Sequence, residues 1–206
     1  QFIDEYDVFL NAITIQDVPV IMTNPCGIPP TDLCIDEATF TQQMYLPDGP
    51  DGYTVVWQRC CRNPTISNLN TIGGNPPGMT STVTIPGTNQ INPANNSSPV
   101  WEEFPPVAIC ANFEFFFDHG AIDSDGDELV YSFCAPFHGA DGNDPAPNPP
   151  DNPPYIPVPY APGFSADYPI ASDPAFAIDP VTGFITGTPT TPGQYAMGIC
   201  CEEYRD

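Results

Sequence analysis

Proline sets the first limit on what this chain can form. It occupies 29 of 206 positions, far above the usual level of about 5%. Each one removes a backbone donor and breaks a helix interior. A mostly helical fold is therefore excluded, and the chain has to be built from short extended segments and turns.

Where a period exists, it is two. In "DGYTVVWQRCC" Tyr53, Val55 and Trp57 alternate with Thr54, Val56 and Gln58. "TSTVTIPG" and "NFEFFFDH" read as strands. "ELVYSFC" places Leu129, Tyr131 and Phe133 on one face and Val130, Ser132 and Cys134 on the other. "FAIDPVTGFITGTP" reads as strand, turn, strand, with Asp179-Pro180 opening the turn and Gly183 supplying the positive φ. "GQYAMGICCEEY" is a further strand. Only "TDLCIDEATF" (31–40) has a helical look.

Strands separated by Gly, Pro and Asn turns across about 100 residues point to a β-sandwich. The chain length admits two. The expected fold is all-β, with two tandem Ig-like or cadherin-like β-sandwich domains and long Pro-rich loops. The break falls within "NPANNSSPVWEEFPP", giving domains over 1–98 and 99–206; one larger β-fold is the alternative. The segment "DPAPNPPDNPPYIPVPYAP" (144–162) should run as polyproline II. Its Tyr155, Ile156, Val158 and Tyr160 make it either a strap across its own sandwich or a surface for a neighbour. Trp57, in an alternating strand, is expected in the core, and Trp101 at the domain junction.

Aspartate and glutamate number 26 against three arginines (Arg59, Arg62 and Arg205) and no lysine, for a net charge of -23. Phosphate binding needs clustered Lys and Arg, so nucleic acid and anionic lipid are poor partners. No apolar run approaches the roughly 18 residues of a membrane span. No basic-then-apolar leader opens the chain, so a signal peptide is expected to be removed or to lie upstream. Divalent cations are the natural partners of such a surface; the bland reading of the same carboxylates is solubility.

Eight cysteines, Cys26, Cys34, Cys60, Cys61, Cys110, Cys134, Cys200 and Cys201, suggest disulfides and an oxidising, extracellular setting. No C-x2-C pair supports zinc. The adjacent pairs Cys60-Cys61 and Cys200-Cys201 would point to opposite faces of a strand. Four cysteines in each half permit bridges within each half, with connectivity open.

The stretch "AIDSDGDELVYSF" sets Asp123, Asp125, Asp127 and Glu128 side by side. Such charges repel unless water and salt screen them or a cation sits among them. An EF-hand is ruled out: counted from Asp123, Gly126 falls at position 4 and Cys134 at position 12, before a strand. A D-x-D-G-D turn at a strand entrance fits calcium better, with Gly126 allowing the bend and other loops completing the oxygen shell. Asp118 is close in sequence. Glu102 and Glu103 lie at the proposed junction, and Asp179, or Glu202 and Glu203, can reach from across the sandwich.

That turn, followed by "AIDPVTGFITGTPTTPGQYAMGICCEEY", resembles bacterial cadherin-like and Ig-like modules of large surface proteins. With "GYTVVWQRCCRNPTISNL" and "NSSPVWEEFPPVAICANFEFFFDHGAIDSDGDELVYSFC", the chain is similar over roughly residues 45 to 204 to repeats of secreted Bacteroidota PKD/Ig-like proteins associated with gliding motility and type IX secretion. The resemblance implies an extracellular, adhesive or filamentous role, and calcium at Asp123, Asp125 and Asp127. Cys201 departs from it, since an apolar residue is expected there.

An Ig-like sandwich needs a strand after "GQYAMGICCEEY", and the chain leaves no room for one. Its first segment, "QFIDEYDVFLNAITIQDVPVIM", is a long strand-like run whose Phe2, Tyr6, Val8, Phe9 and Leu10 can fill a groove. The expectation is head-to-tail strand donation between copies, which does not close and so builds a filament. The alternatives are that this strand folds back on its own chain or that the chain is a fragment of a longer repeat protein.

An enzyme is disfavoured. No G-x-S-x-G elbow, phosphate loop or H-E-x-x-H is present, and His119 and His138 read as incidental. Sugar binding through Trp57, Trp101 and surface tyrosines is the competing function, with surface polysaccharide as the partner. The overlapping sequons at Asn95 and Asn96 read as a polar turn.

Overall fold

A computed structural model describes residues 12–17, 36–41, 43–47, 49–89 and 96–205. Phe2, Tyr6, Val8, Phe9, Leu10, Cys26 and Cys34 lie outside these. Among the described residues there is no helix. The fold is all-β, in several antiparallel sheets.

Strands β1 (Ala12–Asp17) and β2 (Asp36–Phe40) pair with each other. The described part of the 31–40 stretch is thus strand, correcting the helical reading. A ladder from Asp17↔Asp36 to Ala12↔Phe40, interrupted only by a register shift between Ala12 and Thr14, outweighs a weak local preference in a segment with no 3.6-residue apolar period.

A four-stranded sheet joins β3 (Tyr53–Arg59), β4 (Met79–Ile85), β9 (Phe137–His138) and β10 (Ile156–Pro157), in the order β10-β9-β4-β3. The boundary drawn at residues 98/99 runs through this sheet, because β4 meets β9 at Thr80↔Phe137. Its inward side is polar. Buried Gln58 donates to Thr80 Oγ1 at 3.0 Å and accepts from the Asp151 amide at 2.8 Å, while Thr80 Oγ1 donates to the His138 carbonyl. The alternation read in β3 is correct, but the face is reversed: Trp57 is 48% exposed, beside exposed Val55 and Val83. The polar network occupies the inner side and turns the apolar stripe outward, which corrects the expectation of a core Trp57.

The Pro-rich segment supplies β10 to this sheet and is bonded along its length to the rest of the chain. Its carbonyls and amides are taken up one by one: Pro145 O by the Cys60 amide, the Val158 amide by Pro136 O, Pro159 O by the Asn70 amide. Val158, within the segment, is 3% exposed. A chain without internal hydrogen bonds is held here by partners from the rest of the molecule.

The apolar core lies elsewhere. β6 (Phe115–Asp118), β11 (Ala177–Ile178) and β12 (Phe184–Gly187) form one sheet, and β8 (Glu128–Cys134) and β13 (Gly198–Tyr204) another. Ile170, Phe176 and Ile185 are buried, with Phe115, Phe117, Ile178, Phe133 and Ile199 packed against them from both sheets. Each fully buried side chain of this size contributes about 1.5–3 kcal/mol. The expected 176–189 hairpin is present. Asp179 Oδ1 accepts from the Val181 and Thr182 amides, and Gly183 has φ +75° with His119 O only 2.7 Å from where a Cβ would stand.

One residue ties the two regions together. Asn68 is 0% exposed. Its Nδ2 donates to Pro169 O and Ala196 O, both at 2.7 Å, and its Oδ1 accepts from the Ala196 amide at 2.9 Å.

Cys134 and Cys200 form a disulfide with Cα atoms 5.8 Å apart. Cys60 and Cys61 are bonded to each other. Cys110 is also disulfide-bonded. Cys201 is free.

Candidate metal centre

The acidic turn enters β8, and the register of β8 on β13 decides what faces it. Tyr204 pairs with Glu128 and Glu203 with Leu129, so Arg205 comes next, opposite Asp127. Leu129, Tyr131 and Phe133 share a face, as their period implies, with Cys201 and Ile199 across the ladder. Glu203 continues that face to the end of the sheet, where the apolar core gives way to carboxylates.

Asp123 organises the turn. Its Oδ1 accepts from the amides of Asp125 at 2.7 Å, Gly126 at 2.8 Å and Asp127 at 3.2 Å. Gly126, with φ +83°, permits the bend. Its Oδ2 is buried with no hydrogen-bond partner. One carboxylate oxygen each from Asp123, Asp127 and Glu203 lies within 4.8 Å of the others.

Arg205 provides the neutralising charge. It donates from Nε to Asp127 Oδ1 at 2.6 Å and from Nη2 to Asp127 Oδ2, a two-pronged pair. Asp125 Oδ2 is 3.6 Å from the same guanidinium and accepts from the Ser97 amide at 2.6 Å. Arg205 holds the Asp127 carboxyl below its ordinary range. Glu203 is pushed the other way, first by burial and then by Asp127 and Asp123, with an Asn96 hydrogen bond opposing. Asn96, half of the sequon pair, is thus engaged in this cluster.

Of the residues expected to bind calcium, Asp123 and Asp127 come together, and Glu203 joins them from the neighbouring strand. Asp125 stands beside them but is directed at Ser97 and Arg205. Asp179 is occupied in its own hairpin, which lowers its pKa through the Thr182 and Val181 amides. Glu102 lies by Gly120, where a Cβ would be 3.7 Å from Glu102 Oε2 and 3.3 Å from Asp118 Oδ1. The Glu103 backbone engages His119. Arg205 was the residue missed. Its signal was present: one of only three Lys or Arg residues in the chain, it stands two positions beyond Glu203, directly after the strand that pairs with the acidic turn's own.

A cation fits part of this arrangement. Asp123 Oδ2 offers a hard oxygen without a hydrogen-bond partner, and Glu203 offers another that Arg205 reaches only through space, whereas both oxygens of Asp127 are bonded to Arg205.

Beside the turn, β5 (Val100–Trp101) pairs with β7 (Ala121–Ile122). Trp101 stacks on His119 with ring centroids 4.2 Å apart and planes 7° apart. His119 is buried, and desolvation lowers its pKa. A groove over Trp101 is lined by Ser97, Ser98, Val100, Glu102, Ile122 and Ser124. His138 Nδ1 accepts from the Gly78 amide at 3.1 Å.

The chain matches no protein-family model, no curated protein and no solved structure.

Proposed function

We propose that this protein is an extracellular structural or adhesive subunit that polymerises through strand exchange between copies and is stiffened by calcium. The observation that carries the reading is the outer face of β3 and β4, where Val55, Trp57 and Val83 are all exposed and β3 is the edge strand. A long apolar edge of this kind is a template for another strand. The Cys134–Cys200 bridge fits an oxidising compartment. Calcium would be held by Asp123, Glu203 and Asp127, in keeping with the resemblance to cadherin-like repeat modules. Secretion by the type IX route and a gliding-motility role belong to the same reading.

Negative-stain electron microscopy with calcium, and then with excess chelator, tests it. Filaments that fray in chelator are expected. Compact single particles in both conditions would overturn the polymer.

A second reading, a carbohydrate-binding module, is favoured by Trp101. Its ring is backed by His119 and opens on a groove with serine hydroxyls, a platform suited to a sugar ring. Binding on a glycan array that is lost in Trp101→Ala would favour this reading over a purely structural one.

A further inference from the structure

From the edge of the four-stranded sheet we infer that the acceptor for the exchanged strand is the free side of β3, and that residues 4–10 of a second copy pair with it antiparallel, Asp4 opposite Arg59. This rests on the strand-exchange reading and adds to it the site, the register and the charge that selects them.

The sheet edges differ in what they offer. At one end lies β10, two residues long and ending in Pro157, which has no amide to donate. At the other lies β3, seven residues without proline and with no strand on its outer side among the described residues. The two-stranded β8–β13 sheet also has open sides, but β13 carries Glu202 and Glu203 and β8 begins at Glu128. The donor segment carries Asp4, Glu5 and Asp7, so like charges oppose it there. β3 instead ends in Arg59, exposed and lying over the Trp57 ring at 6.0 Å. Among the described residues no carboxylate pairs with Arg59.

The register follows from period two. Tyr53, Val55, Trp57 and Arg59 share the outward face of β3. In "QFIDEYDVFL" the alternate residues Asp4, Tyr6, Val8 and Leu10 would share one face once the segment pairs as a strand. Only antiparallel pairing sets all four against partners of matching chemistry: Leu10 opposite Tyr53, Val8 opposite Val55, Tyr6 opposite Trp57 and Asp4 opposite Arg59. Aromatic pairs, aliphatic pairs and opposite charges are the cross-strand combinations that stabilise a sheet. Trp57 and Val55 lose their exposure, and a seven-residue open edge is covered.

The test uses full-length chains and charge reversal in trans, with assembly read by sedimentation velocity across a concentration series at constant salt. Arg59→Glu and Asp4→Arg each place like charges opposite one another, and each is expected to raise the concentration needed for assembly about tenfold. Mixed one to one, each variant's donor meets the other's oppositely charged acceptor, so assembly is expected to return at the wild-type concentration. That recovery also excludes misfolding as the cause of the single-variant losses. Wild-type assembly that neither variant shifts would overturn the β3 acceptor while leaving strand exchange standing. Recovery in the Asp4→Arg, Arg59→Glu double variant but not in the mixture would assign the segment to its own chain and overturn the second copy. A wild-type chain that stays monomeric throughout would overturn strand exchange itself, and the acceptor with it.

Discussion

Asn68→Ala is the sharpest probe of how the two regions cohere. The side chain is 0% exposed and makes three hydrogen bonds, to Pro169 O, Ala196 O and the Ala196 amide. Each bond contributes about 1 kcal/mol net, and truncation leaves buried carbonyls and an amide without partners, each costing a further increment of similar size. Water entering the space recovers some of that loss. The expected destabilisation is about 4 kcal/mol. With a urea slope of about 2.5 kcal/mol/M for a chain of this length, the midpoint should fall by about 1.5 M. The assay is equilibrium urea unfolding followed separately by Trp57 fluorescence in a Trp101→Phe background and by Trp101 in a Trp57→Phe background. Both probes should report one coincident transition, and Asn68→Ala should move both together. A shift below about 1 kcal/mol would refute the hydrogen-bond accounting. Two separated transitions, with only one moved, would refute the view that Asn68 joins both regions into one cooperative unit.

Three further outcomes follow from the acidic cluster and the disulfide. Calcium at one hundred times its dissociation constant should raise the melting temperature by about 8 °C by mass action; Asp123→Asn should abolish that rise in differential scanning calorimetry. Burial, Asp127 and Asp123 push the Glu203 pKa up, so its contribution is fully present below the unfolded value of about 4.3 and is lost as pH rises through the folded value. Glu203→Gln should therefore stabilise the chelator-treated protein at pH 7 and have no effect near pH 3.5, as thermal melts at the two pH values would reveal. The Cys134–Cys200 bridge closes a sequence separation of 66 residues, so replacing both cysteines by alanine should lower the unfolding free energy in urea by about 4 kcal/mol.

Much of the fold was legible because period-two strands and turn residues are local signals. β8, β13 and the Asp179–Gly183 turn stand where alternation and a positive-φ glycine put them. What escaped the sequence was orientation and partnership. In β3 the alternation was plain, but which face turned inward depended on Thr80, His138 and Asp151, between 22 and 93 residues from Gln58. An apolar stripe was read as core because nothing local announces a buried polar network. Asn68 has no motif at all; its role exists only through Pro169 and Ala196. The acidic turn was legible as a candidate site, and Glu203 as a contributor, whereas Arg205 needed the β8–β13 register.

The crowding of Asp123, Asp125 and Asp127 thus has an answer within the chain. Asp123 Oδ1 spends its capacity on three amides, and Arg205 sits against Asp127 and beside Asp125. Those three amides brace the turn from within the chain. What remains unbalanced is Asp123 Oδ2 and Glu203, at the place where the turn, the end of β13 and the 96–97 segment meet through Asn96 and Ser97. A divalent cation there would act on the joint between those three pieces and not on the turn itself. Calcium dependence should accordingly register in hydrogen exchange of the Ser97 amide and the last residues of β13, while the amides of Asp125 and Gly126 stay protected with or without the ion. Loss of protection at Asp125 and Gly126 in chelator would mean that the ion, and not Asp123, builds the turn.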